Sequence, residues 1–288
     1  MEEKNKIEKS TLYLVGTPIG NLADISERAL KVLREVDFVA AEDTRNSYRL
    51  LSAYGIKKEL VSYHEHNKVT SGEKILARLL RGESCALITD AGMPAISDPG
   101  EDLTRLSVEN GVKVTVIPGA CAIISALALS ALSTRRFAFE GFLPAKQSER
   151  RRILKSLEKE ERTLVFYEAP HKLRATLSDM LEAFGAERKI SLCREITKLN
   201  EDVMRTTLSQ ACEFYREKEP RGEYALVVEG ADSSAIGFEG EAISNIEQVK
   251  IYIDSGLSKM DAIKKVAKER KIPKSEVYRE FCEWENEK

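Results

Sequence analysis

The chain has 288 residues, 42% of them hydrophobic and 32% charged, with 45 Lys and Arg against 47 Asp and Glu for a formal net charge of −2. That is enough apolar material for the cores of two ordinary domains. No run reaches the roughly 18 apolar residues of a membrane helix, and so even a charge balance leaves nucleic-acid contact to local basic patches. The five cysteines (Cys85, Cys121, Cys193, Cys212, Cys282) are scattered without a CxxC pair and there are three histidines. This argues against a zinc site or a disulfide framework and for reduced thiols in the cytoplasm. The first ten residues are charged and lack an apolar signal core, which reads as a frayed tail rather than an export signal.

In chain order, Leu12-Tyr13-Leu14-Val15 reads as a strand entering Gly16-Thr17-Pro18-Ile19-Gly20-Asn21, and 25–36 as a helix with Leu30 and Leu33 on its apolar face. Phe38-Val39-Ala40-Ala41 is a strand entering Glu42-Asp43-Thr44-Arg45. Leu60-Val61-Ser62 is another, entering Tyr63-His64-Glu65-His66-Asn67. A helix over 71–80 precedes the strand Cys85-Ala86-Leu87-Ile88, which feeds a loop from Thr89 to Gly100 holding two Asp, two Gly and two Pro. A helix over 102–109 leads to the strand Val114-Thr115-Val116-Ile117, the turn Pro118-Gly119-Ala120-Cys121-Ala122 and a small-residue helix over 123–132. Four of these apolar runs end in turns carrying Gly, Pro or a charge. In an open α/β sheet such ends line one ligand-binding edge, where Gly permits close backbone approach and Pro fixes the turn.

A second unit begins around Phe137. Thr163-Leu164-Val165-Phe166-Tyr167 reads as a strand entering Glu168-Ala169-Pro170-His171, with a helix over 172–184 stopped by Gly185. Ile190-Ser191-Leu192-Cys193 and Ala225-Leu226-Val227-Val228 are further strands. Strands alternating with helices predict βαβ units and a largely parallel sheet. A small polar linker over 231–240 precedes helices over 246–254, 259–270 and 275–285. Ser258 with Asp261 three residues on is a capping pattern, and the last pair resembles a helix-turn-helix with Ala262, Val266, Ile272 and Val277 inward. The divisions expected are 11–120, 121–232 and 244–288.

Nine motifs occur in order: GTPIGNL, AEDTR, YHEHN, ITDAGMPAISDPG, PGACA, FEGFLPAK, YEAPHKL, CREITKL and RGEYALVVEG. Together they resemble the ribosomal small-subunit methyltransferase I family, a branch of the tetrapyrrole-methylase superfamily, over roughly 12–230. The resemblance implies two α/β domains of the class III methyltransferase type, with S-adenosyl-L-methionine in the interdomain cleft, plus a small C-terminal helical segment. It implies 2′-O-methylation of a cytidine ribose in 16S rRNA near the decoding centre, with the small ribosomal subunit as partner and a homodimeric state. The composition adds no membrane segment and no metal-ligand set, and the chemistry leaves magnesium possible but not demanded. The resemblance places cofactor contacts at Pro18, Ile19, Asp90, Gly92, Met93, Pro94, Ile96, Gly119, Ala120, Ala122, Tyr167, Cys193 and Tyr224. Two departures stand out: Ala131-Leu132-Ser133-Thr134-Arg135-Arg136-Phe137 replaces a GLPTDRF-like run, and Asn46 follows AEDTR where the family usually has His.

The residues themselves are consistent with such chemistry. No G-x-G-x-x-G follows the first strand, no Walker lysine motif is present, and a Ser-His-Asp elbow is missing, which weakens ordinary dinucleotide, nucleotide and hydrolase readings. Methyl transfer from a sulfonium is mostly positioning, but a ribose hydroxyl needs a base or hydrogen-bond acceptor beside it. Asp43 and His64 are the candidate acid/base group, Arg45 a phosphate or carboxylate clamp, and Glu168 a supporting carboxylate; Asp98, His66 and His171 are further candidates. Basic residues concentrate in two places. Lys146, Arg150, Arg151, Arg152 and Lys155 oppose Glu149 alone, and 259–279 carries eight basic residues against three acidic. Lys146, Arg150, Arg151, Arg152, Lys264, Lys268 and Lys274 are therefore the RNA-binding candidates. Alternatives are a superfamily methylase acting on a tetrapyrrole or a protein side chain, and a non-catalytic RNA-binding assembly factor, which would predict a damaged cofactor loop.

Overall fold

The computed structural model describes residues 6–232, 244–254, 256–270 and 272–286. The start of the expected frayed tail, the expected linker from 233 on, and Lys271 of the expected turn lie outside these residues. Two five-stranded sheets lie in the unit Met1–Ala231, and Asp232–Lys288 is a second unit.

The first sheet has the order β3-β2-β4-β1-β5, built from β1 (Thr11–Val15), β2 (Phe38–Ala41), β3 (Glu59–Ser62), β4 (Cys85–Ile88) and β5 (Lys113–Ile117). All its pairings are parallel. β2 and β4 are buried at every position, as strands covered by helices on both faces must be. The crossovers are α1 (Glu27–Glu35), α2 (Thr44–Ala53), α3 (Lys68–Leu80) and α4 (Gly100–Glu109), and α5 (Ala122–Leu129) follows β5. Ser26 caps α1 by accepting from the Ala29 N–H at 3.1 Å, and Ala29, Val32 and Leu33 form its buried stripe. Because every strand runs the same way, all five carboxyl ends meet at one edge.

The second sheet has the order β6-β7-β10-β8-β9, from β6 (Phe137–Phe142), β7 (Thr163–Glu168), β8 (Lys189–Arg194), β9 (Asp202–Thr207) and β10 (Tyr224–Val228). α6 (Gln147–Ser156), α7 (Pro170–Phe184) and α8 (Leu208–Glu217) complete it. Here the expected parallel arrangement is corrected. Only β6 and β7 are parallel, while β10 is antiparallel to both β7 and β8, and β8 to β9. The short link between β8 and β9 holds no helix, and a parallel pair would need a long crossover. The mixed direction brings the ends of β6, β7 and β8 and the start of β10 to one edge, with Tyr224 paired across to both Glu168 and Arg194.

One basic candidate is moved inside. Arg150 is 4% exposed. Its guanidinium donates to Asp179 at 2.7 Å and to the carbonyls of Pro144 and Ala145. It pins α6 to α7 and cannot present its charge to RNA. Arg151 also holds Asp179 at 2.8 Å and pairs with Glu182, with its side chain 45% exposed. Burial raises the Asp179 pKa, but hydrogen bonds from Arg151, Arg150 and Gln147 more than offset this and leave it lowered.

The second unit holds α9 (Asn245–Asp254), α10 (Lys259–Arg270) and α11 (Lys274–Asn286) around Val249, Ala262, Ile263, Val266, Val277 and Phe281. The Ser258 hydroxyl accepts from the Asp261 N–H and donates to its carboxylate, capping the start of α10. Lys264, Lys268 and Lys274 are exposed.

Replacing Asp179 by Ala leaves the Arg150 charge buried without its counter-ion. The expected loss is about 3–5 kcal/mol, read as a lower urea midpoint, with the paired Arg150→Met, Asp179→Leu variant recovering most of it.

Candidate functional site

Four of the five strand ends of the first sheet converge on a cavity of about 600 Å³ whose other wall is the second sheet. Ile19 comes from the loop after β1, Glu42 from the end of β2, Thr89 to Met93 and Ile96 to Asp98 from the loop after β4, and Cys121 and Ala122 from the end of β5. The second sheet supplies Phe142, Tyr167, Glu168, the first turn of α7 with His171, then Cys193, Glu195, Lys198 and Tyr224. The size and mostly apolar lining suit a small organic ligand.

The floor is set by backbone packing. A Cβ on Gly16 would lie 2.6 Å from the Met93 sulfur and 2.7 Å from the Gly119 Cα, so the turns after β1 and β5 touch through bare backbone. Thr17 donates its N–H to the Gly92 carbonyl at 2.9 Å and its hydroxyl to the same oxygen at 3.2 Å, tying the β1 turn to the β4 loop. In that loop Gly92 has φ 83°, and Ala95 and Ser97 also take positive φ, 66° and 61°. Such backbone persists only when held. The Asp98 carboxylate does the holding, accepting from the N–H of Ala95 at 3.0 Å and of Gly100 at 2.7 Å. Burial pushes its pKa up, against these backbone hydrogen bonds.

Of the expected cofactor contacts, Ile19, Asp90, Gly92, Met93, Ile96, Ala122, Tyr167, Cys193 and Tyr224 line the cavity, while Pro18, Pro94, Gly119 and Ala120 do not. Gly119 and Ala120 act behind the lining, where the Ala120 carbonyl would lie 3.4 Å from a Cβ on Gly92. The Tyr224 hydroxyl oxygen accepts from the Tyr215 hydroxyl and from the Arg221 N–H. Burial pushes the Tyr167 hydroxyl up to about 12 and raises the Cys193 thiol, which keeps both neutral.

Of the residues given catalytic roles Glu168 lines the cavity, as do the further candidates Asp98 and His171. Glu168 is 2% exposed, accepts from the Thr176 hydroxyl at 2.5 Å and from the Ala169 N–H at 2.9 Å, and lies 3.5 Å from Lys172. Those bonds fix the start of α7. Asp43 and His64, the expected acid/base pair, lie outside the lining. Asp43 is the N-cap of α2, accepting from the Arg45 N–H at 2.8 Å, and it grips the Arg45 guanidinium through both oxygens. Arg45 holds its pKa down to about 2, first through the side-chain bond and then through the backbone one. A carboxylate so low is a poor proton acceptor. Arg45 itself is 85% exposed at the rim, where Asn46 donates to the cavity-lining Asp90 at 3.2 Å. His64 follows the edge strand β3 and sits edge-on to His66, ring centroids 5.9 Å apart.

Sequence reasoning passed over Glu42, Phe142 and Lys198. Glu42 accepts from the Thr89 hydroxyl at 3.0 Å through one carboxylate oxygen; the other makes no hydrogen bond among the described residues. The signal was available, since an Asp immediately before a helix is an N-cap and leaves its neighbour free to face the ligand. Lys198 bridges Glu195 at 2.9 Å and Glu223 at 2.8 Å, and its stem lies against Gly20. Among the described residues no group of three or more His, Cys, Asp or Glu is arranged to hold a metal ion, and no helix is long and apolar enough to cross a membrane.

The profile of the tetrapyrrole (corrin/porphyrin) methylases matches residues 11–212. A Halalkalibacterium halodurans protein named ribosomal RNA small subunit methyltransferase I is 46% identical over 94% of this chain and 94% of its own length. Proteins of the same name from Bacillus subtilis and Synechocystis are 43% and 42% identical, covering 96% and 95% of this chain and 96% and 98% of their own lengths. Among solved structures, uroporphyrin-III-C-methyltransferase from Thermus thermophilus aligns with a TM-score of 0.54 at 22% identity, over 76% of this chain and 94% of that one. Cobalt precorrin-4 methyltransferase aligns with a TM-score of 0.57 at 18% identity, over 76% and 95%. At that identity the likeness is one of fold.

Gly16→Ala forces the turns after β1 and β5 apart. The expected cost of overpacking is about 1–3 kcal/mol, measured as a lower thermal midpoint. A carbon-detected NMR titration is expected to find the Asp43 carboxyl inflecting near pH 2, well below the unpaired carboxylates.

Proposed function

The chain belongs to the tetrapyrrole methylase family, within its ribosomal RNA small subunit methyltransferase I branch, and on that footing we propose that it methylates the 2′-hydroxyl of a cytidine in 16S rRNA, using S-adenosylmethionine. The observation that carries this reading is the preformed, largely apolar cavity between the sheets, with the carboxylates of Glu42 and Asp90 on one side. When bound, S-adenosylmethionine supplies an electrophilic methyl on a sulfonium. The cavity fits that donor: Gly92 gives a backbone cradle that a side chain would fill, Ile19, Met93 and Ile123 offer apolar contact, and Glu42 and Asp90 suit a cationic ligand.

Glu42 takes the part first given to Asp43. It accepts the ribose hydroxyl proton on its unengaged oxygen as that hydroxyl oxygen gains the methyl. Thr89 orients the carboxylate from its other side. Asp43 is a positioning residue that caps α2 and holds Arg45 at the rim, where the guanidinium is offered to an RNA phosphate. Arg152 and Lys146, exposed on and beside α6, and Lys264, Lys268 and Lys274 of the second unit supply further phosphate contacts. The acceptor is rRNA within the small subunit, and the enzyme acts as a cytoplasmic homodimer. The basic run on α6 favours this over a small tetrapyrrole acceptor, and the intact loop after β4 favours catalysis over a purely assembly-related role.

The test is methyl transfer from labelled S-adenosylmethionine to small subunits that lack the modification, followed by nucleoside digestion. The expected product is 2′-O-methylcytidine. Donor binding without label on subunits or bare rRNA would overturn the proposed acceptor. Glu42→Gln is expected to lower kcat by about 10²–10⁴-fold while leaving donor affinity, read by calorimetry, close to that of the wild type. An unchanged kcat would remove Glu42 from the proton transfer.

A further inference from the structure

Phe142 closes β6 at the cavity, yet its side chain is 58% exposed. An aromatic ring left this open costs apolar burial. The backbone is irregular in order to place it. The β6/β7 register shifts between Phe139 and Gly141, where Gly141 takes φ 68°, so that Phe142, rather than Gly141, pairs with Tyr167. A bulge re-aims the side chains that follow it. The Tyr167 ring is tilted at 50° to that of Phe142 with centroids 5.4 Å apart, and the Lys172 ammonium lies over the Phe142 ring, 5.7 Å from its centroid.

Polar groups surround the ring. His171 lines the cavity in the first turn of α7 and is exposed. Lys146, the residue before α6 and four positions after Phe142, has a side chain 71% exposed and pairs with Glu149 at 2.9 Å. The deeper apolar lining is different: Ile123, Cys193 and Ala225 are 5%, 0% and 4% exposed. The cavity thus has a buried apolar interior and, on the second-sheet side, an open aromatic ring with the Lys172 ammonium over it and the His171 imidazole in the same wall. A chemical group that fits such a wall is a flat, polarisable ring carried on a polyanion.

We infer that Phe142 is the stacking platform for the target nucleobase, splayed out of the RNA strand, while Lys146 and His171 take the flanking phosphates. A ribose hydroxyl within a stacked strand is poorly accessible, and unstacked bases are commonly received on aromatic side chains. The buried interior remains for the methyl donor. This inference rests on the RNA-methylating reading above and adds the residue that seats the acceptor.

The experiment compares wild type with Phe142→Ala, Phe142→Leu and Phe142→Trp, each measured for S-adenosylmethionine affinity by calorimetry and for KM toward small subunits lacking the methyl group. The Ala and Leu variants are expected to raise the subunit KM by about 10–100-fold, the loss of one stacked base, with donor affinity unchanged and Trp restoring the wild-type value. A Leu variant as good as Trp would make the ring mere apolar filling. A parallel loss of donor affinity would mean that it packs the donor's adenine, and unchanged constants would leave it without a role; each result overturns the inference. If the wild-type enzyme labels RNA and the variants do not differ from it, only the stacking is lost, whereas a wild type that labels no RNA removes the reading beneath it as well.

Discussion

The contact between the backbones of Gly16 and Gly119 is the constraint on which the site depends. It lets the turns after β1 and β5 meet with no side chain between them, and Thr17 then extends the contact to the β4 loop through two bonds to one carbonyl. Three turns from three parallel strands thereby behave as one surface. The strained backbone at Ala95 and Ser97 can be kept because Asp98 and this floor hold both ends of the loop. A ligand entering such a site has little loop ordering left to provide, which is where a preorganised pocket gains affinity.

The two walls differ because the two sheets differ. The parallel sheet presents loops after strands, rich in backbone N–H groups and in the carboxylates of Glu42 and Asp90. The mixed sheet presents the ends of β6 and β7, hence Phe142 and the start of α7 with its His and Lys. That second wall is not of one sign, since Glu195 and Glu223 line it with Lys198 bridging them. Glu168, buried and held by Thr176 and Ala169, fixes the first turn of α7 and faces Lys172.

Much of this was legible in the sequence. The parallel strands carry unbroken apolar runs that end in Gly, Pro or charge, so their number, place and ligand edge could be read. The second sheet was harder. β9 is an edge strand with the polar sequence Asp202-Val203-Met204-Arg205-Thr206-Thr207 and only partial burial, and strand direction leaves no local trace when the link is short. α2 was missed because it buries only Ser47 and Leu51, too thin a stripe for helical periodicity. Arg150 was read as surface because composition cannot reveal a counter-ion 29 positions away; its partner, Asp179, lies on α7.

Glu42 and Asp43 make the sharpest case of what sequence adjacency conceals. The chain turns from strand to helix between them, so the two carboxylates leave the backbone on different sides. One reaches Thr89 and the cavity, and the other turns back to cap α2. Only the second is claimed by Arg45, so an arginine two positions on silences one acid and spares its neighbour. The two departures from the family pattern then fall in tolerable places. Asn46 still bonds Asp90, supplying from an amide the donor a His would have supplied from its ring, so the rim stays tied to α2. The run from Ala131 to Arg136 contributes nothing to the cavity lining. Both departures lie at the edges of the site, and the backbone contact at its floor, which no side chain can replace, does not depend on them.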